Sequence, residues 1–145
     1  MNQADGAVTA VSSQNFTMSL LHAAQAVTDR LEASLESVGL SMAKHSALTK
    51  LSEAAEPLTL SDLAARLSCV RSNITQLVDR LEAEGLVRRV DDASDRRSVR
   101  AELTDLGKEK QVAGAAELAK AQEKLASMLN PEDIDGLSVA LSALS

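Results

Sequence analysis

The apolar positions of the chain fall into helical stripes separated by clear stops. Leu20, Ala24, Val27, Leu31, Leu35 and Val38 recur at steps of three and four, one face of an α-helix beginning near Ser13, and Gly39 stands where a helix ends in a left-handed residue. Ser41 can cap a second helix with the stripe Ala43, Ala47, Leu48 and Leu51, and Pro57 closes the loop after it. Thr59 precedes Asp62 by three residues, an acidic capping box, and Leu60, Leu63, Ala64 and Leu67 trace a helix of about two turns. After the short connection Ser68, Cys69, Val70 comes the stripe Ile74, Leu77, Val78, Leu81, stopped by Gly85 with Leu86 behind it. Two helices joined so tightly form a helix-turn-helix.

Beyond Gly85 the period falls from 3.6 toward 2. Leu86 to Val90 reads as a strand, Asp91 to Arg97 as a charged loop, and Val99, Ala101 and Leu103 alternate with Ser98, Arg100 and Glu102, which predicts a β-hairpin with a charged tip. Thr104 can cap a long helix reaching about Leu129, and Asn130, Pro131, Glu132 and Asp133 open a last one with the stripe Ile134, Leu137, Leu141, Leu144. The predicted fold is mainly α with a small β-hairpin wing: a winged helix-turn-helix over 58–104, flanked by N-terminal helices over 13–57 and C-terminal helices over 105–145. Residues 1–12 carry no periodicity and read as a flexible tail. The stripes of the outer helices exceed what so small a central unit can cover, so they are expected to bury against a second copy in a homodimer.

Composition narrows the class. The chain has 145 residues, 45% hydrophobic, with one Phe and no Trp or Tyr, so the core must be built from Leu, Val and Ala. Cys69 is the lone cysteine, which excludes a disulfide framework and suits a reducing, cytoplasmic setting. The uncharged stretch from Gly6 to Thr28 is too polar to span a bilayer, and no basic residue precedes Arg30 to begin a signal peptide. The expectation is a soluble, unprocessed protein without membrane contact.

Charge changes the picture more. The formal net charge is −6, yet eight of the nine arginines (Arg66, Arg71, Arg80, Arg88, Arg89, Arg96, Arg97 and Arg100) and none of the six lysines lie between residues 66 and 100. With Asp79, Glu82, Glu84, Asp91, Asp92 and Asp95, that window carries a net +2 and the remainder −8. Arginine's planar fork grips phosphate and guanine edges, so its concentration in the helix-turn-helix and hairpin points to double-stranded DNA. On a helical wheel Ser72, Gln76, Asp79 and Arg80 oppose the buried stripe, Asn73 and Thr75 flank them, and Arg71 sits near the amino end, where it can neutralise backbone phosphate. Asp79 would repel phosphate and is expected to pair with a neighbouring arginine.

Three segments, LSDLAARL (60–67), RSNITQLVDRLEAEGLVRR (71–89) and DRRSVRAELTDLG (95–107), closely resemble the MarR (multiple antibiotic resistance regulator) family of winged helix-turn-helix repressors. The resemblance implies a homodimeric transcription factor on a pseudo-palindromic operator. It places the second helix of the helix-turn-helix in the major groove, Arg97 at the wing tip in the minor groove, and Asp95 as the residue that holds the wing through an ion pair; Arg96 beside Arg97 is a further expected DNA contact. It also implies a small-molecule effector between dimer and DNA-binding parts, near Lys44 and His45. Val70 stands where relatives often place a capping Ser, leaving that cap to a group such as Ser72, and the scarcity of aromatics removes a stacking surface for a phenolic ligand.

Other chemistry is thin. Cys69 in the turn is either a small buried apolar residue or a redox sensor able to tilt the next helix. His22 and His45 lack metal-ligand spacing, and there is neither a Gly-rich phosphate loop nor a nucleophile constellation, so no enzyme, metal or cofactor is expected. The competing non-enzymatic reading is a winged-helix module whose wing meets an acidic protein instead of DNA.

Overall fold

The computed structural model describes residues 3–68, 71–92, 94–95 and 97–145, with side chains from Ser12 onward except at 71 and 72. Among the described residues six helices and a three-stranded antiparallel sheet follow in the order α1 (Gln3–Glu36), α2 (Met42–Glu53), β1 (Leu58–Thr59), α3 (Leu60–Leu67), α4 (Arg71–Ala83), β2 (Val87–Asp91), β3 (Val99–Leu103), α5 (Asp105–Ala126) and α6 (Pro131–Ser142). This is the winged helix-turn-helix with flanking helices that the periodicities predict.

Helix ends are set by local chemistry. Ser41, Thr59 and Thr104 each cap a helix by accepting from the backbone N–H three residues on, at 3.2, 3.1 and 3.0 Å. Gly39 and Gly85 take φ of +76° and +74°, and the following Leu40 and Leu86 amides donate back to Leu35 and Leu81, the hydrogen bonds of a Schellman stop. Asn130 makes no backbone cap, and Pro131 opens α6 instead. Ser68 ends α3 at φ +53°, a left-handed conformation rare outside glycine, and this turns the chain sharply toward α4.

Two differences from the sequence reading stand out. Helix α1 takes in residues 3–12, assigned above to a tail; the stretch lacks proline and is rich in alanine, so a helix started farther along can propagate through it. The sheet has a third strand. Leu58 pairs with Ala101 and Thr59 with Arg100, giving the order β1-β3-β2 with β3 in the centre.

One core joins α1, α2 and the winged unit. Leu35, Leu48, Leu63, Ile74, Val78 and Leu81 are fully buried, Val87 and Ala101 bring in the sheet, and the core is aliphatic throughout. Alternation on β3 fades at the wing, where Val99 is exposed. Helix α5 docks through two glycines. A Cβ on Gly107 would stand 1.9 Å from the Leu86 carbonyl oxygen, and one on Gly114 2.5 Å from His45 Cδ2. The outer helices are covered less: Phe16, Met18, Leu21, Val112, Leu137, Val139 and Leu144 are all exposed. Among the described residues, no helix is long and apolar enough to cross a membrane.

Candidate nucleic-acid interface

Helix α4 buries Ile74, Val78 and Leu81 and leaves Asn73, Thr75, Gln76, Asp79 and Arg80 exposed, the face expected from the wheel. Arg71 and Ser72 form its first turn, and their side chains lie outside the described residues. No acid among the described residues pairs with Arg80, whose guanidinium therefore adds to the positive potential of this face.

Asp79 is engaged as its position demands. Arg89 at the start of the hairpin places Nη2 2.5 Å from Asp79 Oδ1 and Nη1 2.8 Å from Glu82 Oε1, and its backbone N–H donates to Glu82 Oε2 at 3.1 Å. The hydrogen bond to Asp79, opposed by burial and reinforced by Glu82, holds the Arg89 guanidinium above its ordinary pKa. Its neighbour Arg88 points the other way and bonds Glu102 across the hairpin at 2.6 Å.

The wing is built from local carboxylates. Asp92 Oδ1 accepts from the Ser94 N–H at 3.0 Å and from its hydroxyl at 2.8 Å, while Oδ2 accepts from Arg100 Nε at 3.0 Å. These bonds, the Ser94 amide first, hold the Asp92 carboxyl below the usual carboxylate range. Arg100 also donates from Nη1 to the Pro57 carbonyl at 3.0 Å, tying the hairpin to the loop before β1. Asp95, expected to hold the wing through an ion pair, makes a backbone contact among the described residues. Its Oδ1 accepts from the Arg97 N–H at 2.9 Å, an Asx-type turn, and no ion pair joins it to a described residue; among the described residues Asp92 and Arg100 form the ion pair nearest the wing tip. The Arg97 side chain is exposed without a described acidic partner, whereas Arg96, Cys69 and Val70 lie outside the described residues.

The structure therefore sorts the arginines. Half-buried Arg89 and Arg100 and exposed Arg88 pair with acids of the unit, and Arg66, Arg80 and Arg97 are free of described acids. Sequence reasoning found the face but missed Arg89, because spacing along the chain does not reveal which arginine meets Asp79.

Lys44 and His45, expected near the mouth of an effector pocket, lie in different surroundings. Lys44 Nζ lies 2.5 Å from Glu84 Oε1, joining α2 to the end of α4. His45 is buried beside Leu40 and Gly114, with Nε2 lacking any hydrogen-bond partner. A groove of about 300 Å³ opens between α1 and α5, lined by Ala33, Ala121 and Leu125 together with Arg30, Lys124 and the Lys120–Glu117 ion pair. His22 is exposed on α1, apart from buried His45, and no cluster of three or more metal-ligating side chains occurs among the described residues.

Comparison with known proteins agrees with this geometry. Residues 40–99 match the model of the MarR family. Over 89 residues the chain is 38% identical to YfiV, an uncharacterized HTH-type transcriptional regulator of Bacillus subtilis (strain 168), covering 61% of this chain and 55% of YfiV. A second HTH-type regulator of that strain is 43% identical over 53 residues, of which the chain spans 34%, so only a third to about half of these curated relatives is matched. Sco3205, a MarR family transcriptional regulator from Streptomyces coelicolor solved in complex with DNA, superposes with a TM-score of 0.80 at 30% identity over 92% of this chain and 86% of that one. CouR from Rhodococcus jostii RHA1, solved bound to p-coumaroyl-CoA, gives a TM-score of 0.72 at 26% identity over 91% and 92%.

Proposed function

The chain belongs to the MarR family of transcriptional regulators, and from that premise we propose that it acts as a homodimeric, sequence-specific repressor on a pseudo-palindromic DNA operator. The observation that carries this reading is the division of labour among its arginines. Arg88, Arg89 and Arg100 are paired with Asp79, Glu82, Asp92 and Glu102, while the outer face of α4, with Asn73, Thr75, Gln76 and Arg80, and Arg97 of the wing are presented to solvent. Gln76 and Asn73 suit adenine edges in a major groove, Ser72 and Thr75 suit bases or phosphate, and Arg71, Arg96 and Arg97 suit phosphate or a narrow minor groove. The DNA complex of Sco3205, alike over most of its length, supports the same use of the fold here.

Dimerisation is supported by the exposed apolar side chains of α1, α5 and α6, too many for a lone soluble monomer. Two-fold symmetry then offers two α4 helices to half-sites one helical turn, or a multiple, apart. Relief of binding by an anionic effector belongs to the same reading: CouR was solved bound to p-coumaroyl-CoA, and the α1–α5 groove is lined by Arg30 and Lys124 beside apolar Ala33, Ala121 and Leu125. Selection of duplexes from a random pool, followed by anisotropy titration across a salt series, tests it. A preferred sequence with steep salt dependence is expected. Binding to an acidic protein without preference for any duplex would move the function to a protein interaction module.

A further inference from the structure

Asp79 carries a negative charge on the exposed face of α4 beside Gln76 and Arg80, where a DNA-reading helix gains nothing from a lone carboxylate. Its partner is not on the helix. Arg89 comes from β2, reaches two acids one turn apart on α4, and adds a backbone bond to the second. Three bonds from one half-buried residue thus join the helix to the root of the wing, and only a planar fork can meet both carboxylates at once. On the other flank Lys44 of α2 holds Glu84, just past the end of α4.

We propose that Arg89 is a positioning residue that fixes the angle between α4 and the wing, so that operator discrimination depends on its fork although it touches no base. The proposal rests on the DNA-binding reading above. Without the fork, α4 and the hairpin present their contacts as two loosely related pieces. A specific site, which needs both in register, then loses more than random duplex, which accepts either.

The test uses the full-length protein and the best duplex from the selection, with random duplex alongside, for Arg89→Lys, Arg89→Met, Asp79→Asn and the neighbouring control Arg88→Met. Both Arg89 variants are expected to lower the ratio of selected to random affinity about tenfold, the scale of one lost base contact. Arg89→Lys, with its charge kept, should leave the salt slope unchanged, and Arg88→Met should leave the ratio within about twofold. Asp79→Asn breaks the fork from the other side without removing a cation, so it too should lower the ratio while random binding holds or rises. It also keeps the question open to test if Arg89→Met fails to fold. Equal weakening on both duplexes in Arg89→Lys and Arg89→Met, with the slope reduced by about one in Arg89→Met, would make Arg89 a phosphate contact and overturn the proposal. An unchanged ratio in Asp79→Asn would overturn it as well. Wild-type protein that prefers no duplex would instead overturn the DNA reading, and the positioning role with it.

Discussion

Gly114 of α5 lies against the imidazole of His45 in α2 so closely that a Cβ in its place would stand 2.5 Å from Cδ2 and 3.1 Å from Nε2. The helix carrying the interior histidine and the long C-terminal helix meet there with no room for a methyl group. Alanine in a helix normally gains about 1 kcal/mol over glycine, so the sign of Gly114→Ala is informative. We expect it to destabilise by about 1–3 kcal/mol in urea unfolding, the cost of overpacking a filled site, and His45→Ala in the same chain to recover part of that loss. A rise in stability for the single variant would show that the two helices do not meet this way.

Gln76 and Arg97 should fail differently. Gln76→Ala is expected to cost about 1–3 kcal/mol on the selected duplex and little on random DNA. Arg97→Ala should weaken both and lower the salt slope by about one. Anisotropy on the two duplexes separates these outcomes, and an Arg97→Ala variant indistinguishable from wild type would remove the wing from the interface.

The wing should loosen in acid. Asp92 ionises more easily in the folded chain than in the unfolded one, held by the Ser94 amide, the Ser94 hydroxyl and Arg100. Its contribution is therefore complete above the unfolded carboxyl pKa of about 4 and is lost as pH falls through the lower folded value. Protection of the Ser94 amide from hydrogen exchange should fall in that range, and Asp92→Asn should show weak protection already at neutral pH. Protection that is flat through the acid range would mean that the carboxylate does not hold the turn.

Charge placed on the uncovered apolar helices should break the proposed dimer. Leu21→Glu in α1 and Val139→Glu in α6 both alter exposed side chains, so neither opens the core of the single chain. Sedimentation is expected to show dissociation at concentrations where wild type is dimeric, with helical content kept. Dimers of unchanged affinity in both variants would place the interface elsewhere.

The legible parts of this fold are those with a local cause. Ser41, Thr59 and Thr104 announce helix starts because a side-chain oxygen three residues before a free amide has a single geometry to satisfy, and Gly39 and Gly85 announce stops because few other residues turn left-handed so cheaply. The outer face of α4 followed from helical period alone. Strand β1 was not legible: two residues are too few to alternate, and its reason for being extended is Ala101, far along the chain. Nor could the sequence show that His45 would turn inward to meet a glycine, that Lys44 would meet Glu84, or that Arg89 and not Arg88 would answer Asp79. Each of those depends on contacts between segments, which neither composition nor spacing encodes.

The strand order β1-β3-β2 also bears on how the molecule comes into being during synthesis. The two outer strands leave the ribosome before the central one that joins them, so Leu58 must wait for Ala101 and Val87 for Leu103. Until then α3 and α4 can coil but have no sheet to seat against, because the pairing that closes the loop is made last. A nascent chain cut short before residue 99 would carry every residue of α4 and still lack the scaffold that aims it, so the reading surface arrives whole, in one late step, with the final strand.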